Sequence, residues 1–176
     1  MNKDIENQLD ALEKSKNEML SILSQWSEEE LNQKPDDKSW SALQVVEHVM
    51  GSEKGTLGYM KKKTQASPED LPEATEENRL ASIQLNEVLK STKRYEKPDV
   101  MPEPEGKFSF DQYTEEWNKL NLAYRDFFEN LDNAYLDRQV FRHPFSGMLS
   151  ARQTIDFLIN HIAHHIHQLN RIKQAQ

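Results

Sequence analysis

Between Phe110 and Leu131 the residues Phe110, Tyr113, Trp117, Leu120, Tyr124, Phe127, Phe128 and Leu131 recur at steps of three, four and seven. An α-helix of about 3.6 residues per turn gathers that spacing onto one side. A stripe so rich in aromatics has to be buried, so this segment alone commits the chain to a packed helical core. Ser109 is placed to cap the helix start, and Gln112 three residues on completes a capping box.

The rest of the chain supplies partners for that stripe. Ile5, Leu9, Leu12, Met19 and Leu23 predict a helix over 4–25. Ser27 followed by Glu28, Glu29 and Glu30 marks a short helical turn that ends before Pro35. A long helix is predicted over 41–63, capped by Ser39 or Ser41. It is apolar on two sides, with Ala42, Val45, Val49, Thr56 and Met60 on one and Leu43, Val46, Met50 and Leu57 on the other. Such a helix is sandwiched between neighbours or covered by a second subunit. A weaker helix over 76–91 follows a loop rich in proline and acids. Pro98, Pro102 and Pro104 exclude regular structure over 97–107. A loop containing Arg142 to Met148 leads into a last helix over 150–173. With 5 glycines and 7 prolines the chain lacks the turn residues an all-β protein needs. The expected fold is all-α, a four-helix bundle in a single domain over 1–176.

The net charge of −8, with basic residues scattered, disfavours a general nucleic-acid or anionic-membrane binder. No apolar run reaches the length of a transmembrane helix. The first twenty residues read as helix and lack the apolar centre of a secretory signal. The absence of cysteine excludes disulfides, thiolate metal ligands and a cysteine nucleophile. A cytoplasmic location is the default expectation.

Four of the 6 histidines fall on the last helix, in His161-Ile-Ala-His164-His165-Ile-His167. At about 100° per residue His161 and His165 lie together at the edge of the apolar sector formed by Ile155, Leu158, Ile162, Ile166 and Leu169. His167 falls on the polar side, His164 at the boundary. Two imidazoles one turn apart can converge on one ion, and burial otherwise leaves them without partners among leucines and isoleucines. The residue after His161 is isoleucine, which excludes the zinc-peptidase pattern with its glutamate base. His48 supplies a third ligand by the same logic. Its stripe on the second long helix holds Ser52 and Gly55, and Gly51 and Gly58 lie nearby, so these small residues either open a gap beside the imidazole or allow close helix packing. Three histidines leave a coordination position open, as catalysis requires, whereas a structural zinc site normally has four protein ligands.

The segment Trp40 to His48, the turn His143-Pro144-x-x-Gly147 and the pattern His161-x-x-x-His165-x-x-Gln168 resemble the DinB/YfiT-like superfamily, and the resemblance spans essentially the whole chain. It implies an up-down-down-up four-helix bundle with one divalent metal ion, zinc, nickel or another transition metal, on His48, His161 and His165. Ile166 and His167 depart from the arginine and glycine common in that last motif. The resemblance further implies a thiol-dependent S-transferase with a bacillithiol- or glutathione-type cosubstrate. The alternatives are metal-assisted hydrolysis or a metal- or small-molecule-binding stress protein without turnover. His143 is a candidate proton carrier and Gln168 a candidate hydrogen-bond partner of the ligand site. Tyr59, Tyr113 and Trp117 read as core aromatics, one of which could line the pocket. A small-molecule substrate is expected, and the doubly apolar second helix suggests a homodimer.

Overall fold

The computed structural model describes residues 1–92 and 102–176. The described chain is mostly helical. In order it forms α1 (Lys3–Leu23), α2 (Glu28–Asn32), α3 (Ala42–Lys63), α4 (Glu76–Lys90), α5 (Phe110–Asn130), an antiparallel hairpin of β1 (Gln139–His143) and β2 (Gly147–Ser150), and α6 (Ala151–Gln174). The helix starts are set locally. Ser27, Ser41, Thr75, Ser109 and Ser150 each accept a hydrogen bond from the backbone three residues on, while that residue's side chain accepts from the cap's own N–H.

The four longest helices pack in a closed ring, α1 against α5 and α6, and α3 against α5 and α6. Polar contacts fix their directions. Gln8 near the start of α1 donates to Asp156 near the start of α6 at 2.7 Å, so these two run the same way. Tyr113 at the start of α5 donates to Glu47 near the start of α3 at 2.8 Å, which makes that pair parallel too. Arg125 late in α5 reaches Asp10 and Glu13 early in α1. Trp117, Tyr124, Met19, Met60, Leu158, Ile162 and Leu169 fill the centre and are fully buried. Tyr113 and Trp117 are thus core aromatics, as the sequence indicated.

Three features differ from the sequence expectation. The loop around His143 is a hairpin, so the fold is not purely helical. It closes through Gly147, whose φ of +73° lies in the left-handed region that favours glycine. Both apolar sides of α3 are covered within the chain, by α5 and α6 and by α2 and β1, which removes the reason α3 offered for a dimer. His167, expected in solvent, is half-buried.

The irregular stretch expected over 97–107 is described only from Pro102, where it carries no helix or strand; 97–101 lie outside the described residues. Gln44 Nε2 donates to the Pro104 carbonyl at 2.8 Å, and Glu47 accepts the N–H groups of Glu105 and Gly106. These bonds strap residues 102–108 along the first turns of α3, beside His48.

Candidate metal centre

His48 sits on the second turn of α3, and His161 and His165 one turn apart on α6. Because α3 and α6 pack side by side, the three rings meet. Their centroids are 5.4 Å (His48 to His161), 4.8 Å (His48 to His165) and 4.6 Å (His161 to His165) apart. One ring nitrogen from each lies within 4.8 Å of the others. His161 Nε2 and His165 Nε2 are 3.1 Å apart. Two imidazoles on one tetrahedral ion, with bonds of about 2.0–2.1 Å, bring their nitrogens to roughly 3.4 Å. The pair is therefore close to the spacing that a shared ion imposes.

The protonation of the site favours ligation. Burial, reinforced by the neighbouring imidazoles, drives the His161 value well below the ordinary histidine range. Burial, with His48 adding to it, lowers His165 to about 3 against the hydrogen bond it donates to Gln168, which acts the other way. Both rings are neutral at pH 7 and each offers a lone pair. Gln168 sets which nitrogen is free. Its Oε1 lies 2.8 Å from His165 Nδ1, and an amide oxygen can only accept, so Nδ1 carries the proton and Nε2 faces the centre. His161 Nδ1 is buried with no hydrogen-bond partner among the described residues.

The centre opens on a cleft of about 1730 Å³ lined by α3, α4, the hairpin and α6. Trp40 packs on His48 with centroids 4.9 Å apart, and its indole N–H donates to Glu103 of the strapped segment at 3.1 Å. Phe157, one turn before His161, packs on that ring at 5.4 Å and on His143 at 4.7 Å. Gly51 and Gly55 also line the cleft, and an added Cβ at Gly51, Gly55 or Gly58 meets nothing within 4 Å. Close helix packing is therefore not what these glycines serve; at Gly51 and Gly55 they widen the cleft. Tyr59, Tyr113 and Trp117 are absent from its described lining; Tyr59 packs edge-on against Phe141 at 5.6 Å.

The other expected site residues separate by role. Gln168 lines the cleft and holds His165. His143 lines the cleft as well, with burial lowering its value to about 4. Its Nδ1 accepts the backbone N–H groups of Phe145 and Ser146 at 3.3 and 3.2 Å. The boundary residue His164 is buried and donates through Nδ1 to the Leu89 carbonyl at 3.0 Å, joining α4 to α6. Phe157, Trp40 and Glu103 were missed as site residues. For Phe157 the signal was present, since it lies four residues before His161 and so on the same side.

A second buried polar group lies apart from this cleft. Glu53 on α3 is buried and accepts the Trp117 indole N–H at 3.0 Å, while its Oε1 has no partner among the described residues. Burial raises its carboxyl to about 7, against the Trp117 hydrogen bond and the Lys16 charge. Lys16 on α1, also buried, donates to Asn118 at 2.7 Å.

Fold and site together define a helical protein whose histidine trio can hold one metal ion at the floor of an open cleft. Residues 11–169 match the sequence profile of the DinB superfamily, and the chain belongs to it. It is 26% identical over 151 residues to the uncharacterized protein YuaE of Bacillus subtilis (strain 168), a match spanning 84% of this chain and 86% of that one. No solved structure matches.

Proposed function

We propose that this protein is a divalent-metal-dependent S-transferase, a single helical domain over 1–176, whose metal rests on His48, His161 and His165. The observation that carries the reading is the meeting of three buried imidazoles, two of them held well below the range in which they would be charged, at the floor of an open cleft. The directions of the helix pairs described above support the up-down-down-up order of the bundle. A transition metal on nitrogen ligands, zinc or nickel among them, supplies Lewis acidity toward a sulfur or oxygen of the substrate.

The chain's own residues do the rest. His48, His161 and His165 present lone pairs and leave the cleft side open. Gln168 holds the His165 proton on Nδ1, and Trp40 and Phe157 wall the centre with apolar surface that limits water. In the transfer a thiolate sulfur forms a bond to an electrophilic carbon as the leaving group departs with its electron pair, the thiol proton passing to solvent. The thiol cosubstrate is supported by the family resemblance, and the cleft has room for it together with a small-molecule electrophile.

The test is conjugation by the metal-loaded protein with bacillithiol and glutathione against an electrophile panel. Thiol-dependent product supports the reading; turnover without thiol makes the protein a metal-assisted hydrolase, and no turnover with stoichiometric metal makes it a binding protein. The homodimer keeps no support from α3. A second copy would need another surface, such as the exposed Leu80, Ile83 and Val88 of α4. Light scattering decides it. We further propose a cytoplasmic location, as the sequence reading expects; no helix among the described residues is long and apolar enough to cross a membrane.

A further inference from the structure

His143 is built into its place in a way that decides what it can do. Two backbone N–H groups, of Phe145 and Ser146, point at Nδ1 and make that nitrogen an acceptor. A neutral imidazole has one acceptor and one donor nitrogen, so the proton sits on Nε2. Taking up a second proton would put an N–H against two N–H groups, so the turn itself opposes charging, and burial acts the same way. The residue lines the cleft, and with Nδ1 committed to the turn, Nε2–H is what it offers to a ligand. Between it and the metal centre lies the ring of Phe157, in contact with both His143 and His161. Phe141 stacks on Phe157 at 6.1 Å and lines the cleft beside it.

We propose that His143 is a fixed hydrogen-bond donor rather than a proton carrier. Through Nε2–H it holds an acceptor oxygen of a substrate whose flat apolar part lies against Phe157 and whose other end reaches the histidine trio. The substrate class is therefore a small carbonyl or carboxylate compound with an aromatic or similarly flat portion. The inference deepens the reading of the cleft as the substrate site and rests on it. It excludes His143 as the base that removes a thiol proton, because the nitrogen that would receive that proton is already occupied.

The test uses the full chain, metal-free, with ring-15N-labelled histidine and benzoate as the probe. Benzoate is the simplest molecule that joins a flat ring to an acceptor oxygen. His143→Asn assigns the resonance and isolates the role. The asparagine Oδ1 can take over the two backbone N–H groups, as in an Asx-turn, but nothing replaces Nε2–H. The expected result is a neutral Nε2–H tautomer for His143 from pH 5 to 8, shifted by benzoate. The variant should bind benzoate about tenfold or more weakly while circular dichroism shows it folded. Charging of His143 within that pH range, an Nδ1–H tautomer, or equal benzoate affinity in the variant would overturn the proposal. Metal uptake measured on the same preparations separates the two readings. A wild type that takes up no metal yet shows the expected His143 behaviour removes the metal centre and leaves this inference standing.

Discussion

Replacing Gln168 by alanine tests how the metal centre is assembled. In the native chain Oε1 of Gln168 accepts the His165 Nδ1 proton at 2.8 Å and leaves Nε2 bare toward the other two rings. Gln168→Ala removes that acceptor. The His165 ring is buried, so Nδ1–H loses its partner with little water to replace it, and the other tautomer, with the proton on Nε2, blocks ligation. Losing the group that orients a ligating histidine typically costs about ten- to hundredfold in metal affinity, or roughly 1.4–2.8 kcal/mol. Competition with a chromophoric chelator at pH 7.5 measures it. Gln168→Glu, which keeps an acceptor at the same reach and adds charge, should bind zinc at least as tightly as the native chain. If Gln168→Ala binds zinc with native affinity, the tautomer argument is wrong.

Glu53 should make stability depend on pH. Its folded value is raised from 4.5 to about 7, so its contribution is fully present below the unfolded value and is lost as pH rises through the folded one. Between pH 4.5 and 8 the difference in unfolding free energy between native protein and Glu53→Gln should change by on the order of 3 kcal/mol in urea melts, and a constant difference would contradict the assignment. The histidines act with the opposite sign. His165 near 3 and His143 near 4, both lowered from 6.5, contribute stability that is present above 6.5 and lost as pH falls through the folded values. Metal-free Glu53→Gln protein should therefore show a urea midpoint that declines below pH 6.5, and a flat midpoint would contradict the burial of neutral rings. Gly58→Ala, at an exposed position inside α3 with open space around it, should stabilise the fold by about 1 kcal/mol in the same assay. A destabilised variant would show that the glycine has a contact to protect.

The helices were legible because their apolar spacing and caps are local. Ser41, Ser109 and Ser150 mark helix starts from a few neighbouring residues. The hairpin was hidden because β1 and β2 are only five and four residues long, too short for alternation to show, and their turn depends on a histidine side chain as much as on glycine. His161 and His165 could be paired from one helix alone. His48 could be added only by supposing that α3 and α6 are neighbours, which tertiary packing decides. Some of what was missed was within reach. Lys16 stands in the stripe of Leu9, Leu12 and Leu20, and Glu53 in that of Val46, Val49, Thr56 and Met60. A charge at a core position of a helical period signals a buried polar group even before its partners are known. Glu103 had no such signal, since its contact with Trp40 joins residues 63 apart along the chain.

Metal content of purified, reconstituted protein tests the central claim most directly, with His161→Ala beside the native chain and circular dichroism to show that both are folded. The account predicts close to one divalent ion per native chain and almost none in the variant. A native chain that takes up no ion, or a folded variant that retains it, would contradict the assignment of His48, His161 and His165 as its ligands.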